Sequence, residues 1–201
     1  CSGNGHCVYF TKNGKLPLTS GLACEMGDIG CAAKCMCRTG FHGSSCALNA
    51  SEIESRSKMK EDIVRGLVNL VEVEDATSDT LGSWVNMLEA VAKQDDDITA
   101  DIASGMLTVI ESSLSAGEVM SVTSSVIESL KRPIDVISPT FEMTTAYKLL
   151  ESYSRIVAND MSIGEPSFQS IGKYHRMRVE CAEELTDVGL LSPVPTTSLE
   201  E

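Results

Sequence analysis

Seven of this chain's eight cysteines fall within its first 46 residues, and the eighth, Cys181, stands alone. So short a segment has too little apolar surface to fold by hydrocarbon burial. Its crowded cysteines therefore imply a disulfide framework and an oxidising compartment. The rival use of such cysteines is a zinc site. Cys35-Met36-Cys37 is a C-x-C with His6 and His42 scattered about it, and it offers none of the paired C-x-x-C knuckles that zinc ligation favours. Disulfides are the better reading. Phe41 follows between Gly40 and Gly43, and Cys46 closes the run. The glycines allow turns that a side chain would block, and Phe41 can cover a bridge. The spacing suits a small hairpin stapled by sulfur.

Upstream, Cys1-Ser2-Gly3-Asn4-Gly5-His6-Cys7 has the matching opening. Together the two stretches make residues 1–46 resemble an epidermal-growth-factor-like (EGF-like) module. In that family the six cysteines pair first with third, second with fourth and fifth with sixth. Cys1, Cys35, Cys37 and Cys46 resemble the second, fourth, fifth and sixth, so the resemblance implies the bridges Cys1–Cys35 and Cys37–Cys46. It leaves Cys7 for a first cysteine outside this chain, or free. Cys24 and Cys31 are additional, inside a long insertion between Cys7 and Cys35, and are expected to pair with each other and close it. Each bridge should contribute about 2–4 kcal/mol. Tyr9, Phe10, Leu16, Leu18, Leu22 and Met26 read equally well as a contact surface and as packing over the extra bridge.

The chain opens without Met, inside the module, and no apolar run reaches the roughly 20 residues of a membrane span. The expectation is a piece of a longer secreted or surface protein, with residues 1–48 as the disulfide module. Asn49-Ala50-Ser51 is an N-glycosylation sequon at the junction. Residues 52–165 then read as a bundle of about five helices. Their apolar faces are Ile63, Leu67, Leu70 and Val71; Leu81, Trp84, Val85 and Leu88; Ile102, Met106, Val109 and Ile110; Val119, Val122, Val126 and Leu130; and Ala146, Leu149, Leu150, Tyr153, Ile156 and Val157. Ser115-Ala116-Gly117-Glu118 reads as a capping box, Pro133 as the end of the fourth helix, and Asn159 with Gly164 and Pro166 as the end of the fifth. Residues 166–191 form a β segment leading into a further domain: Met177, Val179 and Cys181 alternate with Arg176, Arg178 and Glu180. Ser167 to Tyr174 is the stretch left to pair with that strand. Cys181 is either free or bridged outside the chain. Residues 192–201, rich in Pro, Ser and Thr, read as linker.

This order, with Trp84 and Leu88 followed by Ile102, Met106 and Ile110, resembles the helical subdomain that precedes the β-sandwich of GAIN domains. It is similar as well to the corresponding region of receptor-for-egg-jelly and polycystin-like surface proteins. The long insertion with its extra cysteine pair resembles EGF variants in large surface proteins of algae and oomycetes. No self-cleavage motif lies within these residues.

The formal charge is −13, and residues 1–50 carry +2, so the remainder carries −15. That charge argues against nucleic acid and anionic membrane surfaces as partners. Asp95-Asp96-Asp97 reads first as a solvated helix connection, and second as oxygen ligands for calcium; no other cofactor is suggested. His6 and His42 sit in disulfide turns, and His175 is expected on the solvent side of a strand. No H-E-x-x-H, G-x-S-x-G or phosphate loop is present. The reading is therefore non-enzymatic: an extracellular or cell-surface interaction and adhesion segment with a protein or glycan partner, or with other copies of itself. The alternative is a structural subunit of an extracellular filament or coat, such as flagellar hairs.

Overall fold

The computed structural model describes residues 1–11, 31–120, 122–172 and 175–181. The chain divides into two compact units, one taking in Cys1–Ser57 and the other beginning at Lys58.

The first unit is a small disulfide-rich region built on two ladders. Strands β1 (Gly5–Thr11) and β2 (Cys31–Cys37) pair antiparallel, with Gly5 opposite Cys37 and Thr11 opposite Cys31. Strands β3 (Phe41–His42) and β4 (Leu48–Asn49) form a second short antiparallel pair. Bridges Cys1–Cys35 and Cys37–Cys46 hold the ladders, with Cα atoms 5.4 and 5.2 Å apart. The Asn4 side-chain amide donates to the Cys46 carbonyl (3.2 Å), and the Arg38 N–H donates to the Asn4 carbonyl (2.8 Å). Among the described residues of this unit only Cys46 is buried. Among the described residues, sulfur and backbone hydrogen bonds rather than buried hydrocarbon hold it.

Helix α1 (Ala50–Val73) is followed by α2 (Ser78–Ala92), α3 (Ala100–Val119), α4 (Ser124–Ile137), a 3-10 turn (Ser138–Thr140) and α5 (Met143–Asp160). In the second unit α2 packs on α3 and α4, and α5 on α3 and α4. One continuous core runs through them around Trp84, Leu88, Ile102, Met106, Ile110, and Tyr153. The Trp84 indole N–H is satisfied by Glu74 Oε2 at 2.9 Å, which is what lets so polar an edge sit inside. Thr77 and Thr80 form a reciprocal capping box at the start of α2. At the other end of α2, the Arg132 guanidinium bonds the open carbonyls of Ala92 (2.9 Å) and Lys93 (2.5 Å).

Three expectations need correction. The inward face of α1 is Val64, Leu67, Val68 and Val71, while Ile63 and Leu70 are exposed. The face turns by one position because Val64 seats against the bare backbone of Gly105 on α3. Residues 115–118 start no helix, for α3 runs through to Val119, which is exposed at its end instead of lying on the inward face of the fourth helix. Gly117 lies on its buried face, where a Cβ would come within 2.9 Å of Ile156 on α5, so this glycine serves close helix packing. Pro133 does not end α4, which continues to Ile137. Ile127, Leu130, Ile134 and Ile137 form one buried stripe across the proline. Burial of the last two outweighs the roughly 3 kcal/mol that an internal proline costs.

Strands β5 (Phe168–Ile171) and β6 (Arg176–Val179) close the described fold as an antiparallel pair, Ser170 opposite Met177. Met177 joins the core, and Phe168 and Val179 pack beside it.

Candidate functional site

The cysteines fall into three groups. Cys1, Cys35, Cys37 and Cys46 are bridged as described. Cys7 is a free, exposed thiol on β1 opposite Cys35, and Cys181 is a free, half-buried one. Cys24 lies outside the described residues, and so does the expected Cys24–Cys31 bridge. Of the apolar insertion residues, Tyr9 is exposed and Phe10 half-buried, while Leu16, Leu18, Leu22 and Met26 lie outside the described residues. Asn49 is exposed and caps α1. Its Oδ1 accepts from the Glu52 N–H and the Ser51 hydroxyl (2.9 Å each), and its own N–H donates to Glu52 Oε2 (2.7 Å). In the acidic run, Asp97 is buried, and Lys60 reaches both its Oδ1 and the Gln94 carbonyl at 2.5 Å. A protein ammonium therefore lies against this carboxylate.

The most organised polar cluster is one that the sequence reading put on the surface. His175 is buried, not on the solvent side. Its Nε2 lies 3.0 Å from Ser170 Oγ on β5, and its Nδ1 lies 3.3 Å from Asp135 Oδ1 on α4. On the far side, close to Ser170, stands Tyr153 of α5, whose own O–H donates to the Ile127 carbonyl of α4 (2.8 Å). Asp135, His175, Ser170 and Tyr153 thus form one polar cluster between the β5–β6 pair and two helices. Gly172 makes it possible: a Cβ there would overlap Asp135 and His175. The Tyr153 ring also meets Phe168 edge-on, centroids 6.2 Å apart.

The Asp135 carboxylate favours a proton on Nδ1 of His175, although the approach is too oblique for a hydrogen bond. In the neutral imidazole Nε2 then accepts the Ser170 proton. The order Ser–His–Asp is the one nucleophilic hydrolases use. Ser170, however, has no solvent exposure, so in this arrangement its hydroxyl meets no substrate and instead bonds His175, just ahead of β6.

Burial pushes the Tyr153 phenol well above its usual range, and the Glu128 charge pushes it further; the nearby Ser170 hydroxyl acts the other way. An unfolded phenol titrates near about 10. Below that pH both states keep the proton. Above it the unfolded state loses its proton first, so stability falls as pH rises, by about 1.4 kcal/mol per unit. Urea titrations at pH 9 and 11 should show that loss, and Tyr153→Phe should remove it. An equal loss in Tyr153→Phe would assign the slope elsewhere.

Among the described residues, no helix is long and apolar enough to cross a membrane, and no group of three or more His, Cys, Asp or Glu is placed to hold a metal ion. Set against known protein families, curated proteins and solved structures, the chain matches none.

Proposed function

We propose that this chain is an extracellular interaction segment of a cell-surface protein, working by adhesion or mechanical coupling rather than by turnover. In this reading residues 1–48 are an EGF-like module and the helical bundle is a scaffold of the kind that precedes the β-sandwich of GAIN domains. One observation carries the reading. The first unit buries a single described residue, Cys46, and is held by bridges between Cys1 and Cys35 and between Cys37 and Cys46. Such a unit folds only where thiols oxidise, which means the secretory pathway and the cell exterior. The two bridges join the partners that pair second with fourth and fifth with sixth in EGF-like modules. Asn49 supports the same compartment, because its exposed side chain at the α1 N-cap is accessible to glycan transfer.

The test is to secrete the chain from a eukaryotic host and coat it onto beads. Native beads should attach to cells, and beads carrying reduced, alkylated chain should not. Secreted chain with unbridged cysteines, or native beads that fail to attach to any cell type, would remove the basis of the reading.

A further inference from the structure

A groove crosses the second unit where α4, the end of α5 and the start of β5 meet. Its floor is apolar: Ile127, Val157, Met161 and Phe168. Its rim carries three exposed carboxylates, Glu128, Asp160 and Glu165, and no described basic side chain lines it. The Ser162 N–H donates to Glu165 Oε2 (3.1 Å) and holds that residue on the rim. Glu128 and Asp160 have no ion-pair partner among the described residues. Covering an apolar floor beside uncompensated carboxylates is favourable only if the cover brings positive charge. No described acidic cluster is placed to share one metal ion, so the charge must be spread along a chain. The groove is also bordered by Ser167, Phe168 and Gln169, and β5 pairs with β6 along one edge while no described strand takes the other.

We propose that this groove docks an extended segment of another protein in which basic and apolar side chains alternate. Its backbone adds to the edge of β5 away from β6, its apolar side chains reach the floor, and its cations meet Glu128, Asp160 and Glu165. The chain's own last twenty residues are poor occupants, since they carry Glu183, Glu184, Asp187, Glu200 and Glu201 and no Lys or Arg. This deepens the interaction reading above and rests on it.

The probe is a fluorescent, end-blocked octapeptide alternating Arg and Val, followed by anisotropy on the full chain. Binding should weaken as salt rises from 50 to 300 mM. The double variant Glu128→Gln/Asp160→Asn should bind on the order of tenfold more weakly at low salt. Glu72→Gln/Glu111→Gln removes the same charge from exposed positions elsewhere and should bind as the parent does. A peptide of four Arg followed by four Val should bind severalfold more weakly than the alternating one. Equal weakening in both double variants would reduce the effect to net charge, and equal binding of the two peptides would remove the strand pairing. Self-association of the chain that Glu128→Gln/Asp160→Asn abolishes would overturn the choice of partner. If beads adhere normally with the groove variant, the docking proposal falls and the adhesion reading stands; loss of adhesion by every preparation strikes the reading itself.

Discussion

Replacing Cys37 and Cys46 together by serine is expected to unfold the first unit while the far-UV helical signal stays near its starting value. The bridge spans nine positions, which in the chain-entropy account corresponds to about 3 kcal/mol of stabilisation. A scaffold this small commands no more than roughly 3–5 kcal/mol in total. Cys46 is also the unit's only buried described side chain, so the change removes both the staple and that buried sulfur. Two further contacts go with it: the Cys46 carbonyl fixes Asn4, and Asn4 in turn receives the Arg38 N–H. The helices lose nothing directly, because their core is made of residues from Val64 onward. Hydrogen exchange gives the decisive reading. Amides of β1 and β2 should exchange at unfolded-chain rates in the variant, while those of α2 to α5 remain protected. Protection surviving along the β1–β2 ladder without this bridge would mean that strand pairing alone holds the unit.

Much of the fold was legible because hydrophobic periodicity reports packing. The α2 and α3 faces are buried at every position the 3.6-residue period selects. The failures have local causes. On α1 two stripes compete, one through Ile63 and Leu70 and one through Val64 and Val68, and the choice depends on Gly105, a partner some 40 residues away. At 115–118 the capping pattern was real as a pattern, but Gly117 answers to Ile156 on a later helix. Pro133 shows tertiary burial overriding a local breaker.

The polar cluster was half legible. Two-residue alternation that turns Met177 inward turns His175 inward as well, so the strand pattern itself contained the burial that the surface assignment missed. Ser170 could have been reached likewise once β5 was placed opposite β6. Asp135 and Tyr153 could not. They stand on separate helices and reach the cluster only through the fold, and serines, aspartates and tyrosines on amphipathic helices carry no mark of it. The floor of the docking groove was partly in view, since Val157 was already on a core face; its rim was not.

The same cluster sets the second large effect: His175→Ala should destabilise the helical unit by about 3 kcal/mol. The substitution leaves the Ser170 hydroxyl without its imidazole partner in a place water does not reach, which costs about 1–3 kcal/mol, and it opens a ring-sized void on top of that. Ser170→Ala should cost less, about 1–2 kcal/mol. It removes a donor and leaves the imidazole short of one bond, but Tyr153 keeps the Ile127 carbonyl. Because the two residues share a hydrogen bond, their effects should not add, and a double-mutant cycle should give a coupling of about 1 kcal/mol or more. Trp84, the chain's one tryptophan and deep in the core, reports unfolding of this unit alone. Urea titrations followed by its fluorescence supply all four corners of the cycle. A cost below about 1 kcal/mol for His175→Ala, or strict additivity, would mean that the hairpin is held by its apolar contacts, Met177, Phe168 and Val179. In that case the polar cluster would merely occupy space between strand and helix. The coupled result instead makes the hairpin's attachment specific as well as apolar: hydrocarbon contacts tolerate sliding, whereas the Ser170–His175 bond, with the imidazole set against Asp135, favours one position of the hairpin on α4.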